Sequence, residues 1–127
     1  MLHFFDRDGL LAAPSLPLAP ELLDLLQARV AHLEAQGLFD MTEIVVVDAD
    51  TTEADLVEAI GFTPLVDLEG RRFRQPGFSS PLEYVSRVTP SYYEAIVPVG
   101  NSGFGFQLLV HDDADNDLVA MCEAHAA

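Results

Sequence analysis

Hydrophobic residues recur at helical spacing between residues 20 and 36. Four large aliphatic residues repeat at intervals of three or four: Leu22, Leu26, Val30 and Leu33. This spacing places them on one side of a helix, with most of the charged residues outside the stripe. Pro20 is tolerated in the first turn of a helix, and Gly37 is typical of a helix end. The pattern predicts a helix over residues 20–36.

An apolar run without alternation follows this helix. Residues 43–48 read Glu-Ile-Val-Val-Val-Asp, which is typical of a strand that is covered on both faces. Thr52 then precedes Asp55 by three residues, a spacing that indicates a capping box at the start of a second helix. Gly61 is expected to end that helix.

The second half of the chain predicts paired strands and two further helices. A hairpin is expected over residues 65–74, and Ser80-Pro81-Leu82-Glu83 indicates the start of a short helix that ends before Pro90. Strands are expected over residues 92–99 and 104–111, joined by a turn at residues 100–103, and a last helix over residues 116–125. In the strand 104–111, alternation puts Phe106, Leu108 and Val110 on one face and Gln107 and Leu109 on the other.

The predicted order of elements favours an α+β fold. Consecutive hairpins argue against a purely parallel sheet, so we expect an antiparallel or mixed sheet of about five strands with helices packed on it. The length of 127 residues indicates one domain, residues 1–127. Residues 2–5 are expected to form a short strand and residues 9–19 an extended connector, which would make residues 1–19 an N-terminal strand or arm.

Composition excludes several classes of protein. The chain has 21 acidic residues and 6 basic ones, all arginine, and a net charge of −15, which disfavours direct binding to a nucleic-acid backbone. A single cysteine excludes a disulfide framework. The first residues lack the basic region of a secretory signal, and no apolar stretch has the length of a membrane span. We therefore expect a cytoplasmic protein with no membrane partner.

Charged residues are clustered along the chain. Acidic residues are dense between Asp48 and Glu58 and again between Asp112 and Asp117. Four arginines and two tyrosines are the predicted binding residues: Arg71, Arg72, Arg74, Arg87, Tyr92 and Tyr93. Arginine and aromatic side chains are favoured anchors of protein interfaces, although the same residues can also serve as core packing. The expected partner is a protein, either a basic one or a second copy in a homodimer paired through a strand edge.

One segment carries a resemblance to an enzyme family. Residues 4–11 read Phe-Phe-Asp-Arg-Asp-Gly-Leu-Leu, which resembles the first motif of the haloacid-dehalogenase-like phosphohydrolases. The resemblance implies that Asp6 is a nucleophile, that Asp8 is an acid/base, and that both assist Mg²⁺ chemistry. The chain departs from the motif at Leu10, where the family has threonine, and it contains no lysine.

A second acidic segment has part of the spacing of a calcium loop. The metal-ligand candidates are Asp112, Asp113, Asp115 and Asp117. The loop pattern requires glycine at its sixth position and glutamate at its twelfth, where this chain has Leu118 and Ala124. These departures exclude an EF-hand, and capping of the last helix by Asp115 or Asn116 is the preferred interpretation. We expect no cofactor.

These patterns favour a small acidic protein that acts as a non-enzymatic protein-interaction or regulatory module. Two alternatives stay open. One is a divalent-metal-dependent phosphohydrolase that uses Asp6 and Asp8. The other is an inhibitor or immunity-type protein whose carboxylates mimic the phosphates of a nucleic acid.

Overall fold

A computed structural model of the chain describes residues 1–37, 42–60, 85–98, 105–114 and 116–125. The first half contains β1 (Leu2–Phe4), α1 (Arg7–Leu11), a short 3-10 helix (Ala13–Ser15), α2 (Pro20–Gln36), β2 (Thr42–Val47) and α3 (Glu53–Ile60). The second half contains β3 (Val85–Thr89), β4 (Tyr92–Pro98), β5 (Gly105–His111) and α4 (Asn116–His125).

The five strands form one mixed sheet in the order β1-β2-β5-β4-β3. The β2–β5 pair is parallel, with Val45 opposite Leu108, and the other three pairs are antiparallel. This arrangement confirms the predicted α+β fold and the mixed sheet.

Both faces of the sheet are covered, which explains the apolar run in β2. On the first face, Val45 and Val47 pack with Leu108 of β5, Leu56 of α3 and Cys122 of α4. The second face packs against α2 and α1 through a separate cluster of buried residues, which includes Leu10, Leu22, Leu26, Leu33, Ile44, Val46, Tyr92 and Leu109. Alternate residues of one strand therefore enter two different cores, so every position from Ile44 to Val47 is apolar.

The longest helix has the predicted bounds, residues 20–36. Gly37 adopts a left-handed conformation with φ of 66°, and its amide donates to the carbonyls of Glu34 and Leu33. Glycine reaches this conformation without the steric cost that a Cβ atom brings. The predicted capping box of α3 is also present, since the Thr52 amide donates to Asp55 at 3.0 Å and the Asp55 amide donates to Thr52 Oγ1 at 3.1 Å.

The prediction of an extended connector over residues 9–19 is wrong for its first part. Residues 7–11 form α1, and Ala13–Ser15 form the 3-10 helix. The Asp6 side chain accepts a hydrogen bond of 2.7 Å from the Gly9 amide and caps α1. A helix of this length shows no hydrophobic periodicity in the sequence, because it spans little more than one turn.

The predicted helix before Pro90 is also wrong in its C-terminal part, because residues 85–89 are the strand β3. β3 and β4 form a hairpin in which Thr89 Oγ1 accepts hydrogen bonds from the amides of Ser91 and Tyr92. Val85, Val88 and Thr89 are β-branched and favour a strand, and β3 pairs with β4. The predicted start of that helix, the hairpin over residues 65–74, the turn over residues 100–103 and Gly61 lie outside the described residues.

Candidate functional site: a groove between two helices

An apolar groove lies between α2 and the segment that contains α1 and the 3-10 helix; we call it the helical groove. Its cavity volume is about 230 Å³. It is lined by Leu10, Leu11, Ala13, Pro14, Leu23, Leu26, Gln27, Val30, Ala31 and Glu34. The floor is buried and the walls are partly exposed, so the groove opens to solvent along the outer side of the two helices.

The spacing of residues along α2 produces one wall of the groove. Leu22, Leu26 and Leu33 point into the core beneath the helix. Leu23, Gln27, Val30, Ala31 and Glu34 recur at intervals of three or four on the neighbouring flank and line the groove. The apolar stripe of α2 therefore extends from the core onto the surface of the helix through Leu23, Val30 and Ala31.

The opposite wall is formed by α1 and the 3-10 helix. Leu10 is buried in the core and Leu11, the next residue, is 47% exposed. Pro14 lies in the first turn of the 3-10 helix and lines the groove. Leu11 therefore adds exposed apolar surface beside the groove.

The chain segment that forms the groove is acidic. Residues 6–37 carry five carboxylates and two arginines, so their net charge is 2 − 5 = −3. Arg29 lies against Glu94 on the sheet side of α2. Arg7 lies on the groove side, where its Nη2 atom donates to Glu34 Oε1 at 3.0 Å. An apolar groove in an acidic segment is complementary to an apolar surface flanked by cations.

The structure separates the two aspartates of the resemblance from the other acidic residues. Asp6 caps α1, and Asp8 is exposed in the first turn of that helix. Because β1 is antiparallel to β2, Asp6 and Asp8 follow β1 at the amino end of β2, whereas Asp48 follows β2 at its carboxyl end. The length of β2 separates the two sets of carboxylates.

The carboxyl ends of the parallel strands do bring Asp48 and Asp112 to one edge of the sheet. Asp48 accepts hydrogen bonds of 3.0 Å from Thr51 Oγ1 and from the Asp50 amide, and it contacts the Met1 amine at 3.3 Å. Partial burial acts to raise the pKa of Asp48, but these hydrogen bonds and the amine outweigh it and leave the pKa below its usual value.

The metal-ligand candidates of the last acidic loop have other partners. Asp112 accepts from Arg87 Nη1 at 3.2 Å, and the amide of Asp113 donates to Nδ1 of His111 at 3.0 Å. Asp115 and the side chain of Asp117 lie outside the described residues. Within the described parts of the chain, no group of three or more histidine, cysteine or acidic side chains is arranged to hold a metal ion.

Of the predicted binding residues, the structure describes Arg87, Tyr92 and Tyr93. The Arg87 guanidinium lies 4.1 Å from the centre of the Tyr93 ring and donates to the Pro90 carbonyl. Tyr92 and Tyr93 are buried on opposite faces of the sheet. Core packing, the alternative interpretation of the sequence, accounts for the positions of the two tyrosines. Arg71, Arg72 and Arg74 lie outside the described residues, and the role of the six residues in binding stays a prediction.

A buried ion pair connects α2 to the sheet. Arg29 Nε lies 2.7 Å from Glu94 Oε2, although the angles between the two groups are not those of a hydrogen bond. Burial raises the pKa of Glu94, and the positive charge of Arg29 opposes this shift. Gln107 is also buried, and its side-chain oxygen has no hydrogen-bond partner among the described residues. Alternation along β4 puts Glu94 on the same face as Tyr92. This pattern in the sequence indicates a buried carboxylate that needs a partner.

Cys122 is fully buried in the first core. Burial raises the pKa of its thiol to about 11, so the neutral form is maintained at physiological pH. In this environment the side chain serves as a small apolar core residue.

The chain matches no family model, no curated protein and no solved structure. No helix in the described segments has both the length and the apolar character needed to cross a membrane.

Proposed function

We propose that this protein is a non-enzymatic interaction module that binds an amphipathic, positively charged helix of a protein partner in the helical groove. The observation that carries the proposal is the apolar groove between α1 and α2, with Glu34 in its lining and an excess of acidic residues on the helices that form it. An amphipathic helix places its apolar side chains in such a groove at intervals of three or four residues.

The size of the groove favours side chains of a partner over a separate small molecule. Sites for drug-sized ligands usually enclose about 300–1,000 Å³, and the helical groove has about 230 Å³. It is also open to solvent, since Leu11, Ala31 and Glu34 of its lining are exposed. A helix that lies over the groove can insert a few aliphatic side chains between Leu11 and Val30 and bury both residues.

The charge of the protein favours a basic partner. The net charge is −15, and Asp8, Asp24 and Glu34 are exposed on the two helices that form the groove. Complementary charges accelerate encounter and disfavour acidic competitors. Binding is therefore expected to weaken as salt is added, because exposed charges are screened.

A designed peptide tests the proposal. The probe is a fluorescein-labelled peptide of about 18 residues, about five helical turns, with leucine on one face and lysine on the other. A scrambled peptide of the same composition is the control. Fluorescence anisotropy measures the Kd for each peptide at low and at physiological salt. The amphipathic peptide is expected to bind more tightly than the scrambled one.

Two matched variants test whether the peptide occupies the groove. Ala31 lines the groove and Ala28 does not, and both are exposed on α2. Ala31→Trp fills the groove without changing the charge and is expected to raise the Kd by about tenfold or more, the range found for residues central to an interface. Ala28→Trp is expected to leave the Kd nearly unchanged. Equal affinities for the two variants would contradict docking in the groove.

A second copy of the chain is the other occupant that the experiment distinguishes. Sedimentation analysis of the free protein measures its oligomeric state over a range of concentrations. If the protein forms a dimer that Ala31→Trp disrupts and the peptide does not bind, the groove is covered by another copy and the proposed partner helix is wrong.

A further inference from the structure

The ion pair between Arg7 and Glu34 connects the two walls of the helical groove. Arg7 is the first residue of α1, and Glu34 is in the last turns of α2 and lines the groove. Their charged groups are 3.0 Å apart, and the side chains are 55% and 49% exposed. Both residues are therefore in solvent and next to the surface where the proposed partner binds.

We infer that Glu34 determines specificity by binding a cation of the partner helix, and that Arg7 competes with that cation for the same carboxylate. This inference rests on the proposed function. Among the described residues that line the groove, Glu34 alone carries a formal charge, so a partner helix that packs on Leu11 and Val30 meets a charged contact at Glu34.

The energetics of exposed ion pairs permit this exchange. Such a pair contributes little to stability, because water screens it and two long side chains must be held in place. Displacing Arg7 from Glu34 therefore costs little. The new pair formed with the partner is more shielded from water, since the bound helix covers the groove, and a shielded pair is stronger than an exposed one.

Competition by Arg7 lowers the affinity for a helix that carries a cation opposite Glu34, because that cation has to displace Arg7. A helix without this cation leaves the Arg7–Glu34 contact in place and gains no ion pair at Glu34. Glu34 thus favours helices with a cation at this position, and Arg7 limits the size of that preference, since specificity is a difference between two affinities.

A double-mutant cycle with the amphipathic peptide tests the inference. Glu34→Gln is expected to raise the Kd by about threefold to tenfold. Asp24→Asn removes the same charge from an exposed position of α2 outside the groove lining and is expected to have a smaller effect. Arg7→Gln is expected to lower the Kd by about threefold in the wild-type background, in keeping with the strength of an exposed pair.

The decisive result is the effect of Arg7→Gln in the Glu34→Gln background. If Arg7 acts through Glu34, its replacement there leaves the Kd unchanged. The same lowering of the Kd in both backgrounds would show a general charge effect and overturn the inference, as would weaker binding by Arg7→Gln alone. Far-UV circular dichroism confirms that each variant is folded.

The failure of this inference is distinguishable from failure of the proposed function. If Ala31→Trp weakens binding but the cycle shows no coupling between Arg7 and Glu34, the groove binds the peptide and only the competition is wrong. If Ala31→Trp has no effect, both are overturned.

Discussion

Arg29 of α2 and Glu94 of β4 form a buried ion pair in which Nε and Oε2 are 2.7 Å apart. The Glu94 side chain is 6% exposed and that of Arg29 is 20% exposed. Since α2 also forms one wall of the helical groove, this contact links the position of the groove to the sheet. Removing either residue of the pair lowers the stability of the fold, because a buried charge without a counter-charge is strongly disfavoured.

Replacing one residue of this pair and replacing both are expected to have different effects on stability. Glu94→Ala leaves Arg29 without its partner and is expected to lower the free energy of unfolding by about 2–3 kcal/mol, below the upper range for fully buried pairs because Arg29 is partly exposed. Replacing both residues, with Arg29→Met and Glu94→Leu, is expected to change stability by less than about 1 kcal/mol or to increase it. Urea unfolding measures both quantities. A double variant as unstable as the single one would show that the charges themselves are required.

The pH dependence of stability follows from the direction in which the pKa of Glu94 is shifted. Its pKa is higher in the folded state than in the unfolded chain, so the folded state holds this proton more tightly. The contribution of Glu94 to stability is therefore fully present below the unfolded pKa and is lost as the pH rises through the folded pKa. Glu94→Gln removes this dependence.

The measurement is the difference in unfolding free energy between the wild type and Glu94→Gln from about pH 4 upward, starting near the unfolded pKa of glutamate. The wild type is expected to lose stability relative to Glu94→Gln as the pH rises. The comparison cancels groups such as Asp48, whose lowered pKa acts in the opposite direction, with stability lost as the pH falls. A difference that shifts in favour of the wild type would contradict the assignment.

Cys122 is expected to be unreactive in the folded protein. Burial raises its thiol pKa to about 11, whereas an unfolded cysteine titrates near 8.5, so its thiolate fraction at pH 8 is lower by roughly two orders of magnitude. Reaction with a disulfide reagent is expected to be slow in buffer and fast in denaturing urea. Rapid labelling of the native protein would show that the core over the first face opens readily.

Asp6 is expected to contribute to stability through its cap. Asp6→Ala removes the hydrogen bond to the Gly9 amide and is expected to cost about 1 kcal/mol, whereas Asp6→Asn retains a capping oxygen and is expected to cost less. Thermal unfolding measures the difference. A phosphatase assay with and without Mg²⁺ on the same two variants examines the alternative that the resemblance implies. Turnover in the wild type that both variants lose would favour the phosphohydrolase over the interaction module.

Long periodic elements were predictable from the sequence, and short ones were not. The helix α2 extends over enough turns for its stripe to appear, and the run of β2 reflects burial on two faces. The helix α1 has five residues and no visible period. The helix-start signal at Ser80-Pro81 led to a predicted helix that covered Val85–Thr89, although three of these five residues are β-branched and the segment pairs with β4.

The candidate site was not predictable in the same way. The helical groove requires that α1 folds back on α2, which follows from the Asp6 cap and from burial of Leu10. The Arg29–Glu94 pair joins residues from opposite halves of the chain. Alternation in β4 shows that Glu94 shares a face with Tyr92, but the sequence does not show which cation lies opposite.

Mapping the peptide on the protein by NMR tests the central claim most directly. ¹⁵N-labelled protein is titrated with the amphipathic lysine-leucine peptide, and the shifts of backbone amides are followed. Binding in the helical groove is expected to perturb residues 10–14 and 23–34 most strongly. Perturbations confined to the carboxyl edge of the sheet, around Asp48 and Asp112, with residues 10–14 unchanged, would contradict the proposed function.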